Sequence, residues 1–393
     1  MLTLPLATET WDDAELQAIE RVLKSRRFTM GEEVRSFEID FAKTFGSRFA
    51  IMTNSGSSAN LLMLSGLLYH PRKLLTERCE IIVPTVSWST TYYPINQLNM
   101  DMRFVDIDIT TLNSPVESIR EAITERTRAV LAVNLLGNPC QLDKIKALCD
   151  EFNILLIEDN CESMGASLNG KFTGTFGICG SFSTYFSHHI STMEGGLVVT
   201  DDEELYHTML SLRAHGWLRE QPKHSHLYQE IDEFNRSFRF VLPGYNLRPL
   251  EMSGAIGKEQ LRKLPGFVEH RRKNADRFTE IFCDQAFAII QREIGKSSWF
   301  GFSLVLGGAL EGRRAEVVRF LNKAGIETRP IVSGNFLANP VIEHLRYTIS
   351  GGVSNAERVD RDGLFIGNHH YEIGPSLVEA FDILQEIASV RLR

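Results

Sequence analysis

Two adjacent histidines stand in a segment made otherwise of apolar and hydroxyl residues. His188 and His189 lie within Ser181–Gly196, which ends in Glu194-Gly195-Gly196. An imidazole of ordinary pKa, about 6.5, exchanges a proton near neutrality and suits acid–base catalysis. Alternatively, the two histidines could be part of a metal site, or they could be buried core residues. Adjacent side chains of an extended segment point to opposite sides, and no HExxH pattern or third ligand lies nearby, so we expect no metal here.

A second segment has the composition of an anion site. The residues Thr53-Asn54-Ser55-Gly56-Ser57-Ser58-Ala59-Asn60 follow a strand pattern and precede the apolar stretch Leu61–Leu68. Glycine lets a ligand approach the backbone, hydroxyls add donors, and free N–H groups at a helix N-terminus attract an anion. We therefore expect a phosphate there, although small residues before a helix are also typical of an ordinary turn.

The third candidate is a carboxylate at a strand end. Ile154–Asn160 has the pattern of a buried strand that ends in Glu158-Asp159-Asn160, and open α/β sheets usually place ligand groups at strand ends. An ionised Asp159 could keep a pyridine nitrogen protonated, which would make the ring of pyridoxal phosphate (PLP) an electron sink. Glu162 could steady the other ring substituents. In the simpler interpretation, the carboxylate only caps the next helix.

The strands that must position these residues are predicted from short apolar runs. These runs are Phe49–Met52, Glu80–Pro84, Arg103–Asp106, Ala129–Leu136, Ile154–Glu158, Ser181–Tyr185 and Gly196–Thr200. Amphipathic stretches alternate with them, which is typical of an α/β fold in which helices flank a mostly parallel sheet.

The C-terminal part has a different pattern. The sequence predicts a helix over Glu251–Leu264 that ends at Pro265, followed by a long helical pattern around His270–Phe282. We place a large cofactor-binding domain at residues 1–251 and a smaller C-terminal α+β domain at residues 252–393.

The composition limits the classes of function. The 393 residues include 42 Lys+Arg and 50 Asp+Glu, a formal charge of −8, with 43% hydrophobic residues. At roughly 100–200 residues per domain, this length fits two domains with their own cores. The acidic balance argues against a sequence-independent nucleic-acid binder. No signal-peptide pattern is present at the start, and no apolar run approaches the ~18 residues of a membrane span. We expect a cytoplasmic protein that binds neither nucleic acid nor membrane.

Several separated motifs, in order along nearly the whole chain, resemble those of the DegT/StrS family of vitamin B6-dependent nucleotide-sugar aminotransferases. They are the Asn54–Asn60 loop, Pro84 with Trp88, Glu158–Glu162, the Glu194–Gly196 turn and Gly244–Pro249. The resemblance implies the fold type I PLP-dependent aminotransferase fold, with a mixed, mostly parallel sheet in the large domain. In that family a Schiff-base lysine lies six residues before the Glu of the EGG turn. Here that position, 194 − 6 = 188, is His188.

The histidine changes the chemistry that the resemblance implies. Imidazole cannot form a Schiff base, so the cofactor must be held by non-covalent contacts, and His188 becomes the expected catalytic acid and base. Family members with this histidine resemble sugar 3-dehydratases. Segments such as Arg213–Trp217 and Pro330–Phe336 are similar to those of members that act on GDP-4-keto-6-deoxy-D-mannose in colitose biosynthesis, a pathway to lipopolysaccharide O-antigen.

The resemblance also implies the other reactants. L-Glutamate is the expected amino donor, leaving as 2-oxoglutarate and converting PLP to pyridoxamine phosphate (PMP). The expected products are GDP-4-keto-3,6-dideoxy-D-mannose and ammonia.

Individual residues receive roles from the same resemblance. The implied cofactor-binding residues are Gly56, Ser57, Trp88, Asp159, Glu162, Ser183 and Asn246, of which the last reaches the site of the neighbouring subunit in a homodimer. The implied substrate-binding residues are Arg26, Arg27, Phe28, Thr29, His215, Arg219, Arg248, Glu327 and Arg329. Arginine suits this role because its planar guanidinium pairs with a carboxylate through two hydrogen bonds, although a surface arginine is usually only a solvated charge.

The six cysteines distinguish two kinds of histidine-containing relative. A related CDP-sugar 3-dehydrase carries an iron–sulfur cluster on four cysteines, with a late, closely spaced group, and depends on a flavin reductase. Here only Cys283 follows Cys179, so we expect neither an iron–sulfur cluster nor a reductase partner. Two alternatives stay open: a nucleotide-sugar 4-aminotransferase, native or with its lysine replaced by histidine, and a catalytically inactive scaffold.

Overall fold

An eight-stranded sheet lies at the centre of the computed structural model, which describes residues 4–390. Residues 1–3 and 391–393, the extreme ends of the two expected domains, lie outside the described residues. The strands are β1 (Phe49–Thr53), β2 (Glu80–Pro84), β3 (Asp101–Val105), β4 (Thr127–Val133), β5 (Leu155–Asp159), β6 (Ser167–Leu168), β7 (Lys171–Phe172), β8 (Cys179–Ser183), β9 (Gly196–Thr200), β10 (Ala288–Ile290), β11 (Gly301–Leu306), β12 (Thr328–Arg329), β13 (Tyr347–Ser350) and β14 (Gly363–Gly367).

Helices flank this sheet and a smaller one. They are α1 (Asp13–Ser25), α2 (Glu32–Phe45), α3 (Gly56–Leu68), α4 (Ser89–Gln97), α5 (Val116–Ala122), α6 (Leu142–Glu151), α7 (Glu203–Arg213), α8 (Glu233–Arg236), α9 (Glu251–Phe282), α10 (Arg314–Lys323), α11 (Ser354–Asp362) and α12 (Gly374–Ser389). Within the described part of the chain, no helix is both long and apolar enough to cross a membrane.

The large sheet has the strand order β1-β9-β8-β5-β4-β2-β3-β13. Only β9 runs antiparallel to its neighbours, and every other pair is parallel. This confirms the predicted α/β fold with a mixed, mostly parallel sheet. All the predicted strands are present, with their ends shifted by three residues or fewer. The carboxyl ends of the parallel strands therefore meet at one edge, where ligands of such sheets usually bind.

Helix α3 is buried on most of its surface because it lies between the sheet and α7. Its leucines Leu62, Leu64 and Leu67 are fully buried. A Cβ atom at Gly66 would lie 2.6 Å from Cγ of Met209 on α7, so glycine is required where these helices touch. The close packing fixes the N-terminus of α3 at the edge of the sheet.

Helix α9 corrects the sequence prediction. One helix of 32 residues runs from Glu251 to Phe282, and Pro265 lies inside it rather than at its end. Proline removes one backbone hydrogen bond and usually bends or ends a helix. Here the ring is exposed, while Leu264 and Val268 on either side of it are buried in the core. Packing on the buried face therefore outweighs the lost hydrogen bond.

The second sheet has the strand order β10-β11-β14-β12 and is antiparallel throughout. Its core includes residues of α9, α10 and α12 and also Leu4 from the start of the chain. Strand β13 from the C-terminal part pairs instead with β3 of the large sheet. The expected domain boundary at residues 251 and 252 falls at the start of α9 and stays a prediction.

Candidate active site

The three candidate segments meet at one cavity of about 380 Å³ at the carboxyl ends of the parallel strands. Of the predicted site residues, the cavity is lined by Gly56, Ser57, Trp88, Asp159, Glu162, Ser183, His188 and Arg329. The anion loop, the strand-end carboxylate and the histidine turn therefore belong to one site.

Asp159 ends β5 and turns its carboxylate to the cavity. Its Oδ2 accepts hydrogen bonds from Nδ2 of Asn60 and Oγ1 of Thr91, each at 2.8 Å. Its Oδ1 accepts a third from the backbone N–H of Cys161 at 3.2 Å. The carboxylate is buried and held in one orientation, as a partner for a ligand's ring nitrogen requires.

The neighbouring Glu158 has a structural role and points away from the cavity, because successive side chains of a strand point to opposite faces. Its carboxylate accepts backbone hydrogen bonds from Gly174 and Phe176, each at 2.6 Å, and from Gly177 at 2.9 Å. Burial raises the pKa of Glu158, and these N–H groups oppose that rise. Glu158 ties the turn before β8 to β5 and does not line the cavity.

The anion loop forms the N-terminus of α3. Ser55 caps the helix, with its Oγ accepting the N–H of Ser58 at 3.0 Å, and α3 begins at Gly56. The amides of a first helical turn have no acceptor within the helix. A Cβ atom at Gly56 would lie 2.7 Å from Cβ of Ser183 and 3.2 Å from Sγ of Cys161. The loop, the free amides and the Ser183 hydroxyl thus form a small cradle suited to a phosphate.

Gly56→Ala is expected to weaken PLP binding at least tenfold, because the new methyl group must displace Ser183. The binding constant is measured by fluorescence titration of the cofactor-free protein. The matched control is Gly266→Ala, since a Cβ atom at Gly266 on α9 meets no heavy atom within 4 Å. Equal PLP affinity in the two variants would contradict the cradle.

His188 lies on the turn that follows β8, in the cavity wall. Its ring packs against Phe300 at 5.1 Å and Tyr185 at 5.9 Å between ring centroids. The buried Nδ1 has no hydrogen-bond partner among residues 4–390. Burial, with the nearby charges of Arg329 and Arg271, lowers the pKa of His188 to about 3. The neutral ring can accept a proton from a bound ligand.

The buried histidines predict a loss of stability in acid. Burial lowers the pKa of His188 to about 3 and that of His369 to about 4, whereas both rings return to about 6.5 on unfolding. The unfolded chain therefore binds more protons as the pH falls below about 6.5, so the free energy of unfolding should decrease between about pH 6.5 and 4.

Denaturant unfolding of the cofactor-free protein at a series of pH values measures this dependence. His188→Asn removes one of the titrating rings and should make the slope of unfolding free energy against pH shallower. A slope identical to that of the unchanged protein would contradict the low pKa of His188.

Arg329 and Glu162 both line the same cavity. Glu162 accepts the backbone N–H of Leu136 at 3.1 Å. Burial raises the pKa of Glu162, and the charge of Arg329 opposes that rise. The guanidinium of Arg329 stacks over Phe365 at 4.5 Å. Glu327 does not line the cavity, since its Oε2 accepts the N–H of Leu6 at 2.8 Å.

The remaining predicted residues lie outside this cavity. Four of them form what we call the Trp217 patch. His215 lies 4.7 Å, Arg219 4.3 Å and Arg248 5.6 Å from the ring of Trp217, and Oδ1 of Asn246 accepts a hydrogen bond from Nε of Arg248 at 3.0 Å.

Arg26, Arg27, Phe28 and Thr29 are exposed. Thr29 bridges Leu250, next to the segment that carries Arg248. Within one chain, the structure does not bring these residues to the cavity.

Sequence reasoning missed Phe300 as a site residue. Phe300 packs against His188 and lines the cavity, but it belongs to no motif. The supporting roles of Asn60 and Thr91 were equally hidden, although Asn60 lies in the anion loop that the sequence singled out.

These features define a B6-enzyme site on an aminotransferase fold. Residues 9–372 match the DegT/DnrJ/EryC1/StrS aminotransferase family, and the chain belongs to this family. It is 54% identical to GDP-4-keto-6-deoxy-D-mannose 3-dehydratase of Yersinia pseudotuberculosis, over 98% of this chain and 99% of the relative. The same-named protein of Escherichia coli O55:H7 is also 54% identical, over 98% and 100%.

Solved structures agree with these relatives. E. coli GDP-4-keto-6-deoxy-D-mannose-3-dehydratase with bound hydrated PLP superposes with a TM-score of 0.96 at 53% identity, covering 98% of this chain and 100% of that one. The predicted fold type is thereby confirmed. A GDP-4-keto-6-deoxymannose-3-dehydratase with a trapped PLP-glutamate geminal diamine has a TM-score of 0.95 at 53% identity, covering 97% and 100%.

Proposed function

We propose that this chain is a PLP-dependent 3-dehydratase that removes the C3 hydroxyl of GDP-4-keto-6-deoxy-D-mannose. The products are GDP-4-keto-3,6-dideoxy-D-mannose and ammonia, and L-glutamate is the amino donor. The observation that carries the proposal is His188, a neutral ring whose Nδ1 has no hydrogen-bond partner among the residues that the structure describes, in the cavity that Asp159 also faces. Relatives that are 54% identical over nearly their full length bear the name of this activity.

The residues of the cavity fit the cofactor. The cradle of Gly56, Ser57 and Ser183 suits its phosphate, the fixed carboxylate of Asp159 its ring nitrogen, and the indole of Trp88 its ring face. In its aminated form the cofactor supplies an amine that holds the sugar at C4 and a ring that stores an electron pair.

The chain's own groups then handle protons and charge. The carboxylate of Asp159 keeps the ring nitrogen protonated. The neutral imidazole of His188 accepts the proton that is removed and returns it to the C3 oxygen, which leaves as water. Phe300 and Tyr185 flank this imidazole and limit the access of other water to it. Arg329 and Glu162 also line the cavity and orient bound ligand.

The Trp217 patch supports a homodimer with shared sites. Its guanidinium groups and its histidine suit the carboxylates of glutamate, yet they lie outside the chain's own cavity. Exposed apolar side chains lie beside them: Phe28 is 50% exposed, Phe238 67% and Leu250 60%. Exposed apolar clusters of this kind mark interaction sites.

Subunit mixing tests the shared site. An equal mixture of His188→Asn and Arg248→Ala chains, after dissociation and reassociation, should regain activity that neither variant shows alone. Ultracentrifugation of the wild type should give the mass of two chains, and a monomer would refute the arrangement.

One assay tests the function. The protein is incubated with PLP, L-glutamate and GDP-4-keto-6-deoxymannose, without a reductase, and the sugar and nitrogen products are identified. The proposal requires ammonia and a 3-deoxy-4-keto sugar. A 4-amino sugar would instead establish an aminotransferase, absence of turnover a scaffold, and an absolute need for a reductase an iron–sulfur type of enzyme. Competition among GDP-, CDP- and dTDP-linked ketosugars tests the nucleotide.

We also place the enzyme in the cytoplasm. The six cysteines are all free thiols, as is usual for proteins of a reducing compartment. Localisation of a tagged chain by cell fractionation tests this placement.

A further inference from the structure

A second group of metal-ligating side chains lies at the start of α7, and none of its members lines the cavity. Glu203 and His207 belong to α7, and His224 comes from the loop that follows. One ligand atom from each residue lies within 4.8 Å of the others, and Oε1 of Glu203 is 3.2 Å from Nε2 of His224. In a tetrahedral zinc site, with bonds of about 2.1 Å, ligand atoms lie roughly 3.4 Å apart. The three side chains need to move only slightly closer together for their ligand atoms to reach that spacing.

The fold sets this arrangement through local contacts. Glu203 and His207 are four residues apart on one helix, so their side chains share a face. Nε2 of Gln221 donates to the carbonyl of His207 at 2.9 Å, and Oγ of Ser225 donates to Oε1 of Gln221 at 2.6 Å. These bonds hold the 221–225 turn against α7 and place His224 beside His207.

His207 is the most buried of the three residues, with only 3% of its surface exposed. Its ring centroid lies 5.3 Å from that of His224 and 6.3 Å from that of His226. The helix therefore holds an imidazole in place beside His224, and imidazole nitrogen is a ligand that zinc takes.

The local charge also favours a dication. Asp201, Asp202, Glu203 and Glu204 follow one another in the sequence. Among the described residues, Arg48 and Arg72 are the two arginines that pair with side chains of this run. Arg48 contacts Oε2 of Glu203 at 3.0 Å, which leaves Oε1 on the side of the two histidines.

An adjacent group offers a useful contrast. His70, Asp202 and Glu204 are equally close together, but their ligand atoms are already engaged. Arg72 pairs with both carboxylates, and the ring of His70 contacts Asp202 at 3.3 Å and accepts the N–H of Arg72 at 3.1 Å. A metal there would have to displace a guanidinium, so this group is not a metal site.

We propose that Glu203, His207 and His224 bind one zinc ion, with water completing its coordination. Two histidines and one carboxylate are a set that zinc takes in proteins. The site ties the 221–225 turn to α7 and is separate from the catalytic cavity. It gives no motif in the sequence because His224 reaches His207 only through the folded loop.

The test uses untagged, PLP-loaded protein freed of metal and of unbound cofactor. Equilibrium dialysis with Zn²⁺ should show one ion bound per chain, and Co²⁺ in its place should give the visible absorption of a tetrahedral site. His224→Ala and Glu203→Gln should each weaken Zn²⁺ binding at least tenfold. Both changes lie at exposed or half-buried positions, so the core stays intact.

His344→Ala, at an exposed histidine far along the chain, is the matched control and should leave the affinity unchanged. Absence of Zn²⁺ binding, or equal affinity in the wild type, His224→Ala and Glu203→Gln, would overturn the proposal. Dehydratase turnover should persist in His224→Ala.

Discussion

His188→Lys is expected to abolish dehydration and to attach PLP covalently to the protein. The proposed mechanism assigns the proton transfer to the imidazole in the cavity wall, and positioned acid–base groups contribute about 10²–10⁴-fold to a rate. An amine in the same place reacts with the aldehyde of PLP, so it holds the cofactor and cannot serve as the base. Turnover is measured as ammonia release, and attachment as PLP that survives borohydride reduction and denaturation.

His188→Asn is the matched control for this result. Asparagine is polar and similar in size, but it has no ring nitrogen that can accept and return a proton, and it does not bond to PLP. Turnover should fall as far as in His188→Lys, while the cofactor still dialyses away. Dehydration at the original rate in either variant would remove His188 from its assigned role.

Asp159→Asn is expected to lower the turnover number by about 10²–10³-fold, the loss typical when one charge-stabilising group is removed from an active site. The amide carries no negative charge to keep the ring nitrogen protonated. The new NH₂ group is also a donor that faces other donors. Depending on its orientation, it meets either the groups of Asn60 and Thr91 or the N–H of Cys161, all of which now donate to Asp159. Turnover is measured at saturating PLP, so that weaker cofactor binding is not mistaken for slower chemistry.

Glu158→Gln supplies the contrast, because Glu158 is the adjacent acid on the opposite face of the strand. Its carboxylate holds the backbone of Gly174, Phe176 and Gly177. We expect a loss of about 1–3 kcal/mol in the free energy of unfolding, with turnover at low temperature nearly unchanged. The reverse pattern, a stable but inactive Glu158→Gln and an active Asp159→Asn, would contradict both assignments.

The sequence predicted the strands well because apolar periodicity reflects local geometry. It also singled out the anion loop, Asp159 and His188, which the structure brings to one cavity. It gave Glu158 no role of its own, since that role depends on which sheet face the cavity occupies. Pro265 appeared to end a helix because the packing that carries α9 past it comes from distant residues.

Residues that act through tertiary contacts left little signal in the sequence. Phe300 reaches His188 only after the second sheet has packed against the first. Arg329 is named only through the family resemblance, and its stacking on Phe365 beside the cavity becomes visible only in the folded chain. The Trp217 patch is a further example. The sequence does not show that this patch lies away from the chain's own cavity, and only the folded chain does.

The pairing of β13 with β3 has a consequence for how the protein is made. The last strand of the large sheet is Tyr347–Ser350, whereas its partner β3 is Asp101–Val105. During synthesis, most of the sheet therefore leaves the ribosome long before its edge can be covered. Such an open edge can pair with other chains, and contacts this distant in sequence form slowly. The edge of β3 therefore stays without its partner strand until most of the chain has been made.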